Sequence, residues 1–76
     1  MEDSLGARIR DARQRAKLTQ AQLAHRIGIS RTALHDIETG TTKDPRSSLI
    51  AALANALQVT TDFLHGLDNA PSPEGW

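Results

Sequence analysis

The sequence predicts an all-α fold, a compact bundle of five short helices. Two observations point there. Apolar residues recur at steps of three and four almost throughout, the period of a helix face, and no segment alternates apolar with polar residues as a half-buried strand does. Wherever that period breaks, a capping hydroxyl, a glycine or a proline marks the boundary.

The first helix is expected from about Leu5 to Ala16, because Leu5, Ile9, Ala12 and Ala16 form one stripe. Asp3 or Ser4 caps its start. Thr19 opens the second. Thr19-Gln20-Ala21-Gln22 has the capping-box form, in which the threonine hydroxyl bonds the third amide and the glutamine reaches back. Leu23, Ala24 and Ile27 make its buried stripe, and Gly28 ends it by adopting the left-handed conformation without steric cost. Ser30 caps the third helix, Leu34 and Ile37 face inward, and Thr39-Gly40 stops it. A polar loop follows from Thr41 to Pro45. The fourth helix, about Ser47 to Leu57, carries Leu49, Ile50, Leu53, Ala54 and Leu57. Thr60 caps a short fifth helix holding Phe63 and Leu64. Residues 1–67 form one domain on this reading, and 68–76, with two prolines and a glycine, form a loose tail ending in Trp76.

Composition narrows the possibilities further. With 76 residues there is room for one domain only. A domain of this size buries about 60% of the surface its unfolded chain exposes, so it is marginal and leans on partners. The absence of cysteine excludes a disulfide framework, a thiolate nucleophile and a thiolate zinc site. The acidic start lacks an apolar signal segment, and no apolar run is long enough to span a bilayer, so a cytoplasmic, reducing location is expected.

The net charge of zero at first argues against a nucleic-acid partner. The distribution of charge says otherwise. All nine basic residues lie between Arg8 and Arg46, among only four acids, so this stretch carries +5. The five remaining acids, Glu2, Asp3, Asp62, Asp68 and Glu74, leave −5 on the two ends. Such a division suits a polyanion-binding face, although a solvated helix face shows the same signature.

The most informative constellation spans the second and third helices. They are separated by Gly28-Ile29-Ser30 alone, a link that holds two helices at a steep angle. Ala24 is small enough for close approach, and Ile29, Leu34 and Ile37 fill the angle. Leu23, Ala24, Ile27, Gly28, Ile29, Leu34 and Ile37 together match the helix-turn-helix pattern. At about 100° per residue, Thr32, His35, Asp36 and Thr39 lie opposite the Leu34/Ile37 stripe, with Arg31 on the flank at the N-terminal end.

That face is short, polar and rich in hydrogen-bonding groups, as major-groove reading requires. Arg31 suits bidentate contact with guanine; Thr32 offers a methyl to thymine or a hydroxyl to base or phosphate. His35 can donate or accept, and Asp36 can accept from a cytosine amino group. Plain solvated surface is the competing reading of His35 and Asp36. Ser30 and Thr39 border this face and complete the candidate DNA-binding set with Gln20, Lys43 and Arg46. Gln20 stands at the amino end of the second helix, where free amides favour a phosphate, or it serves the cap alone. Lys43 and Arg46 flank the following loop, where they neutralise phosphates or simply charge the loop.

Glu38 lies about 70° from the centre of its buried stripe and Arg13 a similar angle from that of the first helix. Half-buried opposite charges find each other, so an Arg13–Glu38 ion pair with a structural role is expected.

The stretch from Leu18-Thr19-Gln20-Ala21-Gln22-Leu23-Ala24 to Ile37-Glu38-Thr39-Gly40 resembles the Cro and repressor helix-turn-helix family, the xenobiotic-response-element type best known from lambdoid phage repressors. The likeness runs from about Leu5 to Gly66 and includes Pro45-Arg46, Leu53-Ala54-Asn55-Ala56-Leu57 and Thr61-Asp62-Phe63-Leu64. It implies a five-helix, lambda-repressor-like domain that binds operator DNA, usually as a dimer on a palindrome. It implies phosphate binding at Gln20, base reading at Arg31, Thr32 and Asp36, and the buried ion pair at Arg13 and Glu38. Three positions depart from the family pattern. Lys17 and Gln58 stand where members carry glycine, each costing ~1 kcal/mol if the backbone there is left-handed. Asp44 stands where close phage relatives are basic.

The function expected is a sequence-specific DNA-binding transcriptional regulator, a repressor acting as a homodimer on a palindromic operator. The dimer surface is expected in the acidic C-terminal third, at the end of the fourth helix, Val59, Phe63 and Leu67, with core packing the competing role for these apolar residues and the favoured one for Phe63. The alternative is an antitoxin that also binds a toxin, with Trp76 on the tail as the anchor for that protein. An enzyme is not expected: His25, His35 and His65 are scattered, there is no glycine-rich phosphate loop, and no cofactor or metal is implied.

Overall fold

The computed structural model of the chain describes residues 4–42 and 45–66. Over these it forms five helices: α1 (Leu5–Arg15), α2 (Gln20–Ile27), α3 (Arg31–Thr39), α4 (Ser47–Leu57) and α5 (Thr61–Leu64). There is no strand among the described residues. Lys43, Leu67, the expected tail at 68–76 and its Trp76 lie outside them.

Hydroxyl side chains start four of these helices. The Ser4 hydroxyl accepts from the Ala7 amide at 3.1 Å, Ser30 from Ala33 at 3.0 Å and Thr60 from Phe63 at 2.9 Å. At α2 the full capping box forms: Thr19 Oγ1 accepts from the Gln22 amide at 3.0 Å, and Gln22 Oε1 accepts from the Thr19 amide at 2.8 Å. Each cap contributes about 1 kcal/mol. Arg46 precedes α4 without a side-chain cap bond.

Three helices end in one shared reversal, in which a left-handed residue lets its own amide and the one after it fold back onto the last turn. Gly28 (φ 76°) supplies it after α2, but Lys17 (φ 61°) supplies it after α1 and Gln58 (φ 57°) after α4. After α1 the Lys17 amide donates to the Gln14 carbonyl at 3.0 Å and the Leu18 amide to that of Arg13 at 3.1 Å. This reversal corrects the expected helix end: α1 stops at Arg15, and Ala16, exposed, caps it instead of extending the buried stripe.

Every helix gives one wholly buried aliphatic side chain to a single core: Ile9, Leu23, Leu34, Leu53 and Leu64. Burial of each contributes about 1.5–3 kcal/mol. Two contacts of α1 decide how the bundle closes. A Cβ placed on Gly6 would lie 2.5 Å from the Glu38 carbonyl oxygen and closer still to that of Ile37, so α1 meets the end of α3 backbone to backbone. Two residues on, about half a turn round the helix, the Arg8 guanidinium lies over the Phe63 ring, 4.6 Å from its centroid, and Arg8 Nε donates to the Phe63 carbonyl.

The second contact corrects the expected dimer surface. Phe63 is 5% exposed, its ring packed into the core and roofed by Arg8, so it is not available to a second subunit. Val59 is half-buried against the same core. Among the described residues, no helix is long and apolar enough to cross a membrane.

Candidate nucleic-acid interface

The α2–α3 corner is built as its sequence dictates. Gly28 turns the chain left-handed, and the Ile29 amide returns to the Ala24 carbonyl at 3.0 Å. Ser30 then starts α3 on its own cap. Ala24, 2% exposed, lets the helices approach, and Leu23, Leu34 and Ile37 are buried between them while Ile27 and Ile29 pack at the rim. Both orientations are therefore fixed before α3 meets any partner.

The outward face of α3 has a graded character. Arg31, Thr32 and His35 are exposed along its first turn and a half. Asp36 is half-buried, and its carbonyl accepts from the Thr42 amide at 3.0 Å, anchoring the loop after α3. The exposed Thr39 hydroxyl lies 3.0 Å from that of Thr41 and 3.4 Å from the Asp36 carbonyl, so it shapes this loop. The Ser30 hydroxyl accepts from Ala33 within its cap and keeps its proton and a second lone pair for another group. Arg46 is exposed beside the N-terminus of α4. The open reading positions thus gather at the N-terminal half of α3.

Behind that face lies the Arg13–Glu38 ion pair, now with its full geometry. Arg13 Nε donates to Glu38 Oε2 at 2.7 Å and Nη2 to Oε1 at 3.1 Å, a two-pronged contact. Arg13 Nη1 donates to the Leu18 carbonyl at 2.8 Å. One side chain on α1 therefore holds the end of α3 and the turn into α2. The side chains are 12% and 2% exposed, so the pair is largely desolvated.

Gln20 joins this cluster instead of standing alone at the surface. Its Nε2 donates to Glu38 Oε1 at 3.1 Å and lies 3.5 Å from His35 Nδ1. The amide tip of Gln20 is thus engaged within the protein, while the first backbone amides of α2, at Gln20 and Ala21, have no acceptor behind them in the helix.

Three roles were not legible in the sequence. Gly6 falls in a helical stretch, where a glycine costs about 0.5–1 kcal/mol relative to alanine, and its seven-residue spacing from Arg13 places both on the face toward α3. That spacing is the signal that could have found it. Arg8 counts toward the basic stretch by sequence, yet it reaches α5, where its partners include the Phe63 ring and a backbone carbonyl. The link between Gln20 and His35 joins residues on two helices and has no sequence signature. Arg15 is paired at the surface with Asp11 at 3.0 Å. Among the described residues, no group of three metal-ligating side chains comes together.

Comparison with known proteins places this geometry. A family model described as a helix-turn-helix domain matches residues 4–65. The HTH-type transcriptional regulator ImmR of Bacillus subtilis strain 168 is 37% identical over 65 residues, covering 86% of this chain and 50% of the relative. YobD of the same organism, an uncharacterized HTH-type transcriptional regulator, is 36% identical over 67 residues, covering 88% and 59%. Repressor protein C2 of Salmonella phage P22 is 37% identical over 60 residues, 79% of this chain but 27% of the relative. The chain thus spans about half the length of the two bacterial relatives. Among solved structures, the P22 c2 repressor in complex with a synthetic operator superposes with a TM-score of 0.78 at 35% identity, covering 86% of this chain and 97% of that one. The solution structure of the DNA-binding domain of the same repressor gives 0.78 at 33% identity, covering 92% and 95%.

Proposed function

The chain belongs to the helix-turn-helix domain family, whose pattern spans residues 4–65, and on that premise we propose that it is a sequence-specific DNA-binding regulator of transcription, acting as a repressor. The observation that carries this reading is the exposed first half of α3, held at a fixed orientation by the Gly28–Ser30 corner and lined by Arg31, Thr32 and His35. The likeness to a repressor solved on its operator supports it.

In this reading α3 enters the major groove. Arg31 makes a two-pronged contact with guanine, and Thr32 packs its methyl against thymine or bonds a base. The backbone amides at the start of α2 hold a phosphate on one side of the groove. Arg46 and Lys43 neutralise phosphates on the other. The half-buried Asp36 acts at the edge of the groove, accepting from a cytosine amino group or repelling a misplaced phosphate. Few phosphates are engaged, so affinity falls with salt along a shallow slope.

One short helix reads only a few base pairs, and two-fold symmetry doubles the site. We therefore propose a homodimer on a palindrome whose half-sites lie about one helical turn apart. With Phe63 committed to the core, the dimer contact falls to Val59 and the residues that follow α5.

Selection from random-sequence DNA, followed by footprinting on the DNA upstream of the protein's own gene, tests this function. A palindromic consensus protected in that region is the expected result. Recovery of no preferred sequence overturns it.

A further inference from the structure

The Gln20 cluster contains a constraint on His35 that bears on what α3 reads. Glu38 is a carboxylate whose Oε1 lies 3.1 Å from Gln20 Nε2, and an ionised carboxylate only accepts. The Gln20 amide must therefore turn its NH2 group, not its oxygen, toward Glu38. That group has two N–H donors. One serves Glu38; the other faces His35 Nδ1 at 3.5 Å. A donor facing Nδ1 requires Nδ1 to accept, and in a neutral imidazole the proton then resides on Nε2. The amide orientation is itself fixed from behind, because Arg13 grips Glu38 at both oxygens and the carboxylate is 2% exposed.

We infer that the Arg13–Glu38–Gln20 chain is a positioning device that sets the tautomer of His35, so that the recognition face presents an Nε2–H donor at this position. His35 is exposed on the same face as Arg31, one helical turn away. A donor there fits the acceptor edge of a purine, N7 or the guanine O6, and is of no use opposite a cytosine or adenine amino group. Gln20 thereby changes role. With both N–H groups committed, it acts on DNA through His35. The inference rests on the DNA-reading function proposed above for its second half only, since the tautomer is a property of the free protein.

Two measurements test the halves separately. In the free protein, with imidazole neutral, long-range ¹H–¹⁵N correlation spectra report which ring nitrogen of His35 carries the proton. The wild type is expected to show the Nε2–H form alone. Gln20→Met, which keeps the capping box and both Arg13–Glu38 bonds, is expected to show a mixture of both forms. An Nδ1–H form in the wild type, or a spectrum unchanged by Gln20→Met, overturns the device.

On selected DNA, 7-deazapurine replacement along the site is expected to weaken wild-type binding on the order of fivefold at one position beyond any that His35→Ala retains. Gln20→Met is expected to lose part of the same discrimination, and Gln20→Met with His35→Ala no more than His35→Ala alone. Loss spread evenly over all sequences overturns base reading at His35 and makes its partner a phosphate. Failure to select any DNA removes the regulator reading and leaves the spectroscopic result standing.

Discussion

Two arginines on α1 hold the two ends of this molecule by different means. Arg13 grips Glu38 with two bonds and the Leu18 carbonyl with a third, tying α3 and the start of α2 to α1. Arg8 lies over the Phe63 ring and donates to its carbonyl, tying α5 to α1. The first grip is charge on charge in a nearly dry site; the second is a cation on a ring and a backbone dipole. Where α3 must stand at one angle to present Arg31, Thr32 and His35, the attachment is directional and saturated. Where α5, four residues long, has only to close the core, packing and a single cation suffice.

Breaking each grip separates them. Glu38→Ala leaves Arg13 buried without its counter-ion and is expected to cost about 3–5 kcal/mol. A domain of this length has a total stability of only about 4–11 kcal/mol, so urea unfolding should show loss of a large share of that stability. Gly6→Ala attacks the same end without touching any charge. The added methyl meets two carbonyls of α3, and the backbones must separate, at about 3 kcal/mol by the same measurement. Arg8→Ala at the other end removes the charge-assisted bond to the Phe63 carbonyl and the contact with its ring, and these losses are expected to cost about 2 kcal/mol. DNA affinity in the folded fraction should be nearly unchanged, whereas any Glu38→Ala protein that remains folded should bind poorly. Equal effects of both substitutions on binding would erase the distinction between the two ends.

The smallest effects sharpen the comparison by raising stability. Lys17 and Gln58 hold left-handed backbone at exposed turns, one after α1 and one after α4. Replacing either by glycine relieves about 1 kcal/mol of strain and gives back part of it through the freer unfolded chain. A rise of a few degrees in melting temperature is expected from each. The sites are separate turns of the fold, so the double substitution should be additive.

Most of this architecture could be read in the sequence because its signals are local. Ser4, Thr19, Ser30 and Thr60 cap the helices they precede, and Gly28 and Gly40 end two of them, since caps and turns depend on a few adjacent residues. The Arg13–Glu38 pair was legible for a different reason. Two opposite charges each sat at the margin of a buried stripe, and burial forces such groups together. The tie between Arg8 and α5 was not legible, because a backbone carbonyl exists at every residue and leaves no mark in the sequence. Phe63 shows the same limit. An aromatic residue near the end of a short amphipathic helix favours the core without excluding an interface, and the burial of Phe63, with Arg8 above it, decides between the two. Gln20 was expected at a phosphate from its place in α2; its turn toward Glu38 and His35 depends on how closely α2 and α3 cross.

The central claim is that the exposed first half of α3 reads DNA sequence from an orientation fixed by the α2–α3 corner. The most direct test is the binding of Arg31→Ala, against the wild type, to every single-base-pair variant of the selected site. A loss of about 1–3 kcal/mol is expected, with discrimination relaxed at one base pair in each half-site and retained elsewhere. A uniform loss at every variant, with discrimination intact, would contradict the claim, because Arg31 would then hold phosphate and some other element would read the bases.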